Sequence, residues 1–539
     1  MTVQSRVRRL RPRRPERPGR PEASPWRQGL CGPTVFVMSG DKVRVRPPLV
    51  ADGTAGGDDV GHRLAGVRPS ERQLRWQSME FYAFVHFGMN TMTGREWGAG
   101  DEDPALFVPE RLDADQWMGS FVSAGMTGVI LTAKHHDGFC LWPTRTTSHS
   151  VASSPWRAGR GDVVGDVADA ARRHGLALGI YLSPWDRNHP SYGQGAAYDD
   201  VFVEQLTELL TGYGPVFSVW FDGANGEGHD GRRQTYDWDR YHCVVRDLQP
   251  DAVISVCGPD VRWCGNEAGH TRAQEWSVVR CELQDVERTA DKSQQVDDGT
   301  FSRLVSSDEE DLGSRAVLAS HLDSLVWYPA EVNTSIRPGW FYRPTEDDRV
   351  RPADELFEIW CSAVGGNASL LLNVPPGPDG LLAPPDTRAL GKLGAMLRAL
   401  ANRLMIGSVT LSSGSVICAD GARRPARTLQ RLSDAMSRPP VYWAPAAEDR
   451  TPWGRISLDR PTTVTGVVLR EDITQGQRVE EVVVTGTSDG AEVELARASC
   501  VGYQRLIRFD GRLVTDVTVR ITATRDVPRL SAVAVLAAE

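Results

Sequence analysis

What the chain lacks narrows the field first. No apolar run in its 539 residues is long enough to cross a bilayer, and the short patch from Val35 to Met38 is too brief for the core of a signal peptide. No membrane partner is expected, and the chain reads as cytoplasmic, with Met38 as an alternative start. Paired cysteines are also missing. The nine cysteines are odd in number and scattered, with no Cys-x-x-Cys, which argues for free thiols in a reducing compartment and against a zinc cluster. A basic body is the third absence. Residues 1–46 carry eleven Arg and Lys42 against Glu16, Glu22 and Asp41, a balance of +9, so a net charge of -9 leaves -18 for the remainder. An acidic body excludes a broad nucleic-acid footprint and is compatible with a neutral ligand.

The Arg/Pro-rich start, with few apolar side chains, reads as a disordered extension over residues 1–60. Beyond it, apolar runs alternate with helical patterns. Phe81–Phe87, Gly128–Ala133, Leu176–Leu182, Val216–Phe221, Ala252–Val256, Leu325–Tyr328 and Leu370–Val374 are strand candidates. Asp113 caps a helix to Ala124 with Trp117, Phe121 and Val122 on one face; Val164, Val167, Ala171 and His174 mark a second helix, ended by Gly175; Phe202, Leu206, Leu209 and Leu210 stripe a third. This alternation implies parallel βαβ units, and so an α/β fold: a (β/α)8 TIM-like barrel over residues 61–405. From about Gly407 the helical stripes vanish. Short alternating segments such as Thr463–Leu469 and Glu481–Val484 predict an all-β sandwich over residues 406–539. The acidic stretch from Glu282 to Ser320 reads as a solvated insertion.

The strand ends carry the chemistry. His86 closes the first, Lys134-His135-His136-Asp137-Gly138 the second and Tyr181 to Trp185 the third, and Asp222 follows the buried run Val216–Phe221. An acid at the C-terminal lip of a buried barrel strand is where catalytic groups sit, and folding alone explains it poorly. One histidine at such a lip is more often structural; the convergence of His86, His135, His136, Tyr181 and Asp222 shifts the balance to a site. A His/His/Asp set could bind a metal, but adjacent His135 and His136 point to opposite sides if strand geometry persists, so metal chemistry ranks second. Sugar chemistry needs two carboxylates around a glycosidic bond, with aromatic faces and hydrogen-bond donors beside them. Trp97, Trp142, Trp185, Trp220, Trp263 and Trp340 lie near predicted loops.

The phrases FVHFGMNTMTGREWG, KHHDGF, YLSPWD, WFDGANGEG, GPDVRWCGNEAG, WYPAEVNTSIRPGWFY and LLLNVPPGPDG occur in order over about residues 81–380. Together they resemble glycoside hydrolase family 29, the α-L-fucosidases. LREDITQGQRVEEVVVTG with GYQRLIRF looks like the galactose-binding-like, discoidin-type domain attached to one branch of that family. The resemblance implies Asp222 as the nucleophile of a retaining mechanism and Glu267 of the GNE motif as acid/base, with Glu275 of QEWSVV the competitor. Trp263 and Trp276 are candidates for an apolar wall beside Glu267, on a loop that Gly265 and Gly269 would make flexible. His86, Glu96, Trp97, His135, His136, Tyr181 and Trp340 match sugar-binding positions, and Arg262 would orient Glu267 or bind substrate. The implied substrate is a fucosylated oligosaccharide with α-1,3/1,4-linked fucose in Lewis-type branches; no cofactor and no metal are expected, and oligomeric state is left unassigned.

Overall fold

In the computed structural model, residues 59–292, 311–405, 407–418, 423–425 and 441–538 are described. Nearly all of the expected N-terminal extension, and most of the acidic run Asp308–Asp311, lie outside them.

Eight parallel strands form one sheet that rolls into a nearly closed barrel. In chain order they are β1 (Phe81–Val85), β2 (Gly128–Lys134), β3 (Ala177–Leu182), β4 (Val216–Phe221), β5 (Val253–Val256), β6 (Arg262–Trp263), then β9 (Ala330–Ser335) and β10 (Ser369–Asn373), with β7 (Val278–Arg280) and β8 (Leu325–Trp327) intervening. The sheet runs β5-β4-β3-β2-β1-β10-β9-β6. Its two ends meet at a single bridge, Ser255 to Val261, where Val256 N–H donates to Val261 O at 3.1 Å. Every position of β1 and β2 is buried, as expected of strands covered on both faces.

One expected barrel strand lies elsewhere. Leu325–Tyr328 forms β8, which pairs antiparallel with β7 in a two-stranded ladder outside the barrel. The barrel position falls to the next segment, Ala330–Ser335, whose alternation of polar residues is that of a strand with one face turned inward. Apolar content alone favours Leu325–Tyr328, and period-2 polarity is the signal that separates them.

The helices between strands follow their caps. Asp113 accepts Gln116 N–H at 3.0 Å to start Ala114–Ala124, and Gly125 ends it at φ 87°, a conformation open to glycine. Trp117 and Phe121 are buried against the barrel, and truncating such a side chain typically costs about 3–5 kcal/mol. Val122, expected on the same face, is 45% exposed, because the residue after Phe121 has turned 100° away from the core. Val163–His174 buries Val164, Val167 and Ala171, but His174 is exposed and pairs with Asp115 at 3.1 Å.

Beyond the helix Pro384–Asn402, a ten-stranded antiparallel sheet forms a separate all-β domain. Its long strands Trp453–Glu471 and Arg505–Thr524 are broken by register shifts that bend them around an interior of Val, Ile and Leu. This domain docks on the barrel through half-buried polar contacts: Arg470 reaches Glu80 at 2.6 Å, Tyr503 Oη donates to Glu80 at 2.9 Å, and Leu506 N–H donates to Gly365 O at 2.8 Å. No helix among the described residues is long and apolar enough to cross a membrane.

Candidate active site

At the C-terminal end of the barrel lies a cavity. Its walls come from strand ends that the barrel closure brings together: Phe84 and His86 from β1, His135 and His136 after β2, Tyr181 from β3, and Trp220 and Asp222 from β4. Glu267, Asn333, Trp97 and Trp340 complete it from the loops and β9.

Asp222 is held on three sides. Tyr181 Oη donates to Oδ2 at 2.8 Å, Ala224 N–H donates to Oδ1 at 2.8 Å, and His136 Nε2 lies 3.9 Å from Oδ2. Burial, then the neighbouring Asp222 carboxylate, raises the Tyr181 phenol well above its ordinary range, so Tyr181 keeps its proton and donates. Trp220 lies under Tyr181 in a stacked pair, 5.4 Å between centroids. Its indole N–H donates to Glu331 Oε1 at 2.8 Å, and Tyr82 Oη donates to Oε2. Glu331 is buried in the barrel interior; burial pushes its carboxyl up to about 7 despite those two donors.

The histidines are neutral acceptors. Asn373 Nδ2 donates to Ser335 Oγ and to Trp340 O, so its Oδ1 is the acceptor that takes the His86 Nδ1–H at 2.9 Å. Ser183 donates to Trp185 O and accepts from His136 Nδ1 at 2.7 Å. In each ring the Nε2 lone pair is thereby left as an acceptor. Burial lowers His86 to about 3 and His136 to about 4, and pulls His135 well below the ordinary histidine value. The Nδ1 of His135 is buried without a hydrogen-bond partner. The expectation that His135 and His136 diverge fails, because β2 ends at Lys134. Lys134 turns outward to Asp186 at 3.0 Å, and the turn closed by Gly138 N–H on His135 O brings both rings to the cavity, 4.1 Å apart.

Glu267, on the segment after β6, lines the same cavity as Asp222. Trp340 Nε1 donates to its Oε2 at 3.2 Å. Glu96 stands behind: its Oε1 accepts the Trp340 backbone N–H and its Oε2 accepts Arg343 at 3.0 Å, so Glu96 sets where Trp340 lies. The loop is stapled, contrary to the flexibility its glycines suggest. Gly265 and Gly269 do adopt φ of 101° and 88°, but Asn266 Oδ1 accepts the N–H groups of Ala268 and His270, both at 3.1 Å.

Several expected residues lie outside the cavity. Arg262 is buried against Glu275, its Nη2 donating to Oε2 at 2.9 Å, with no reach to Glu267 through these contacts. Burial raises the Glu275 carboxyl, but Arg262 and Arg272 outweigh it and hold the group below the usual range; a carboxylate so paired stays ionised and is a poor proton donor. Trp276 is packed on Arg525, 4.3 Å from its guanidinium, and Trp263 donates to Asn333 Oδ1 at 2.9 Å, so the indole beside Glu267 is Trp340. Trp142 is buried, its indole N–H donating to Glu208 Oε2 at 2.8 Å, and Trp185 lies tilted against His136, 4.8 Å between centroids. Phe84 and Asn333 line the cavity without having been singled out. For Asn333 the signal was present: Glu331, Asn333 and Ser335 alternate along one strand, so all three face inward once β9 is placed.

A barrel mouth lined by two carboxylates, neutral imidazoles and aromatic rings has the make-up of a hydrolase that works on sugars. Residues 101–402 match the α-L-fucosidase family model. Alpha-L-fucosidase 1 of Arabidopsis thaliana is 37% identical over 446 residues, 82% of this chain and 81% of the relative. A glycoside hydrolase 29 family member from a rumen bacterium superimposes with a TM-score of 0.68 at 35% identity, covering 88% of this chain and 78% of that one. A Ruminococcus gnavus family 29 fucosidase solved in complex with fucose gives 0.73 at 25% identity, covering 91% and 97%. The chain belongs to the α-L-fucosidase family, glycoside hydrolases that release L-fucose.

Proposed function

We propose that the chain is a retaining, exo-acting α-L-fucosidase that removes α-1,3/1,4-linked fucose from branched, Lewis-type oligosaccharides. The observation that carries this reading is one cavity lined by both Asp222, with Tyr181 on its carboxylate, and Glu267, with Trp340 on its own. In this reading Asp222 attacks the anomeric carbon while Glu267 gives its proton to the departing oxygen; the covalent fucosyl-enzyme is then hydrolysed by water that Glu267 deprotonates. The sugar hydroxyls donate to the Nε2 atoms of His86 and His136, and His135, with its unmatched Nδ1, offers a further polar contact. Trp97 and Trp340 supply flat apolar faces for the ring and its methyl group. Glu96 acts through Trp340. Arg262 acts through Glu275. The antiparallel domain is read as galactose-binding-like, and the site of action as the cytoplasm.

The stereochemistry is tested by proton NMR of the first product. α-L-fucose appearing before its β anomer supports retention; β first overturns it. Linkage is tested on defined oligosaccharides. Rapid cleavage of α-1,2-linked 2'-fucosyllactose with none of Lewis trisaccharides overturns the assigned preference. A carbohydrate-binding protein with little catalysis is the second reading, favoured if an aryl fucoside is bound and not turned over.

A further inference from the structure

The loop that carries Glu267 has no helix and only one backbone bridge, Ala268 to Thr334 of β9, with Gly265 and Gly269 at positive φ on either side. Side chains close its base instead. Arg272 Nη1 donates to Cys264 O at 2.8 Å, joining the end of the loop to its beginning. The same nitrogen reaches Glu275 Oε1 at 3.0 Å, and the other oxygen of Glu275 takes Arg262 of β6 at 2.9 Å. Glu275 is thus the hub of a ring that ties the loop to the barrel wall. Its charge is matched by two guanidiniums, in a setting where a single unmatched charge would be costly.

The antiparallel domain grips this ring from outside. Cys500 Sγ donates to Glu275 O at 3.2 Å, beside Asn367 Nδ2 at 2.7 Å, and Arg505 Nη2 donates to Ala273 O at 2.9 Å. Gln477 Oε1 accepts Ser277 N–H at 3.1 Å. Three side chains of the domain therefore fix the backbone from residue 273 to 277, directly after the loop.

We propose that Arg272 and Glu275, anchored by Cys500 and Arg505 of the antiparallel domain, are positioning residues for Glu267. The inference rests on Glu267 being the general acid. Proton donation needs the donor within hydrogen-bond reach of the departing oxygen, and a misplacement of about 1 Å can cost about 10²-fold. A clamp on the acid loop therefore matters where the leaving group needs a proton, and little where it does not.

The test compares a fucosylated trisaccharide, with a poor leaving group, against 2-chloro-4-nitrophenyl α-L-fucoside, whose phenol departs largely unaided. Arg272→Met is expected to lower kcat/KM on the trisaccharide about 10²-fold while the aryl fucoside changes less than about threefold. Arg272→Lys, which restores one charged contact, should recover part of the loss. Cys500→Ala and Arg505→Ala, milder changes remote from the cavity, should show the same split at about two- to tenfold, and they serve if Arg272→Met does not fold. Equal losses on both substrates, or no loss on either, overturn the proposal. Glu267→Gln assayed beside them separates the two readings: if Glu267→Gln shows no split, the acid assignment falls, whereas a split in Glu267→Gln alone sinks only the clamp.

Discussion

The two sides of the cavity are built differently. Asp222 stands one residue past β4, a strand paired on both edges, with β3 through Tyr181↔Trp220 and with β5 through Phe221↔Val256. Its place follows from backbone hydrogen bonds that no side-chain substitution removes. Glu267 sits on a glycine-flanked loop tied to the barrel backbone by one bridge, Ala268 to Thr334 of β9, and otherwise held by side-chain contacts from Asn266, Arg272, Glu275 and Trp340. The strand side should lose function only when its reacting group or a side chain bonded directly to it changes, and the loop side should be sensitive to residues that never touch substrate.

Four substitutions test this contrast. Asp222→Ala should have the largest effect, a fall in kcat of about 10⁴-fold or more on both good and poor leaving groups. Added azide should partly restore turnover and yield the β-fucosyl azide by a single displacement; full activity without azide would remove Asp222 from the chemistry. Glu267→Gln is expected to cost about 10²- to 10⁴-fold on an oligosaccharide and far less on an activated aryl fucoside. Tyr181→Phe removes a charge-assisted hydrogen bond from Asp222 and should cost about 10- to 100-fold on both substrates alike. A loss confined to the oligosaccharide would instead place Tyr181 on the acid side.

The smallest effect concerns pH. His86 and His136 have folded values of about 3 and about 4 against an ordinary 6.5, so the unfolded chain binds more protons across that window. Their contribution to stability is complete above about pH 6.5 and is lost as pH falls through it toward 4. Glu331 works the other way: raised to about 7 from 4.5, its contribution is full below the lower value and is lost as pH rises toward the upper one. Glu331→Gln removes the opposing contribution, so Tm should climb more steeply from about pH 5 to about pH 7 than in the parent protein. An unchanged slope would mean that this carboxyl does not titrate in that range.

Much of the architecture was legible because it rests on short-range periodicity. Val216–Phe221 reads as a covered strand from its lack of solvated side chains, and Asp113 and Gly125 mark helix ends by capping chemistry that needs no tertiary partner. Leu325–Tyr328 misled because apolar content does not say what a segment pairs with; β8 pairs with β7 outside the barrel, and the barrel takes Ala330–Ser335. Val122 misled by a single position, which on a helix is enough to rotate a side chain out of the core.

The α/β alternation, the change to an antiparallel domain and the residue types at the strand ends could be read from the chain alone, since each depends on spacing of a few residues. Folding in three dimensions set which of those residues share a cavity. It turned His135 and His136 to the same side by ending β2 at Lys134, brought Asn333 into the wall, and paired Glu275 with Arg262 and Arg272 rather than with the site. Those outcomes depend on where the barrel closes and on what the antiparallel domain packs against. They join residues as distant as Glu275 and Cys500, beyond the reach of any local pattern.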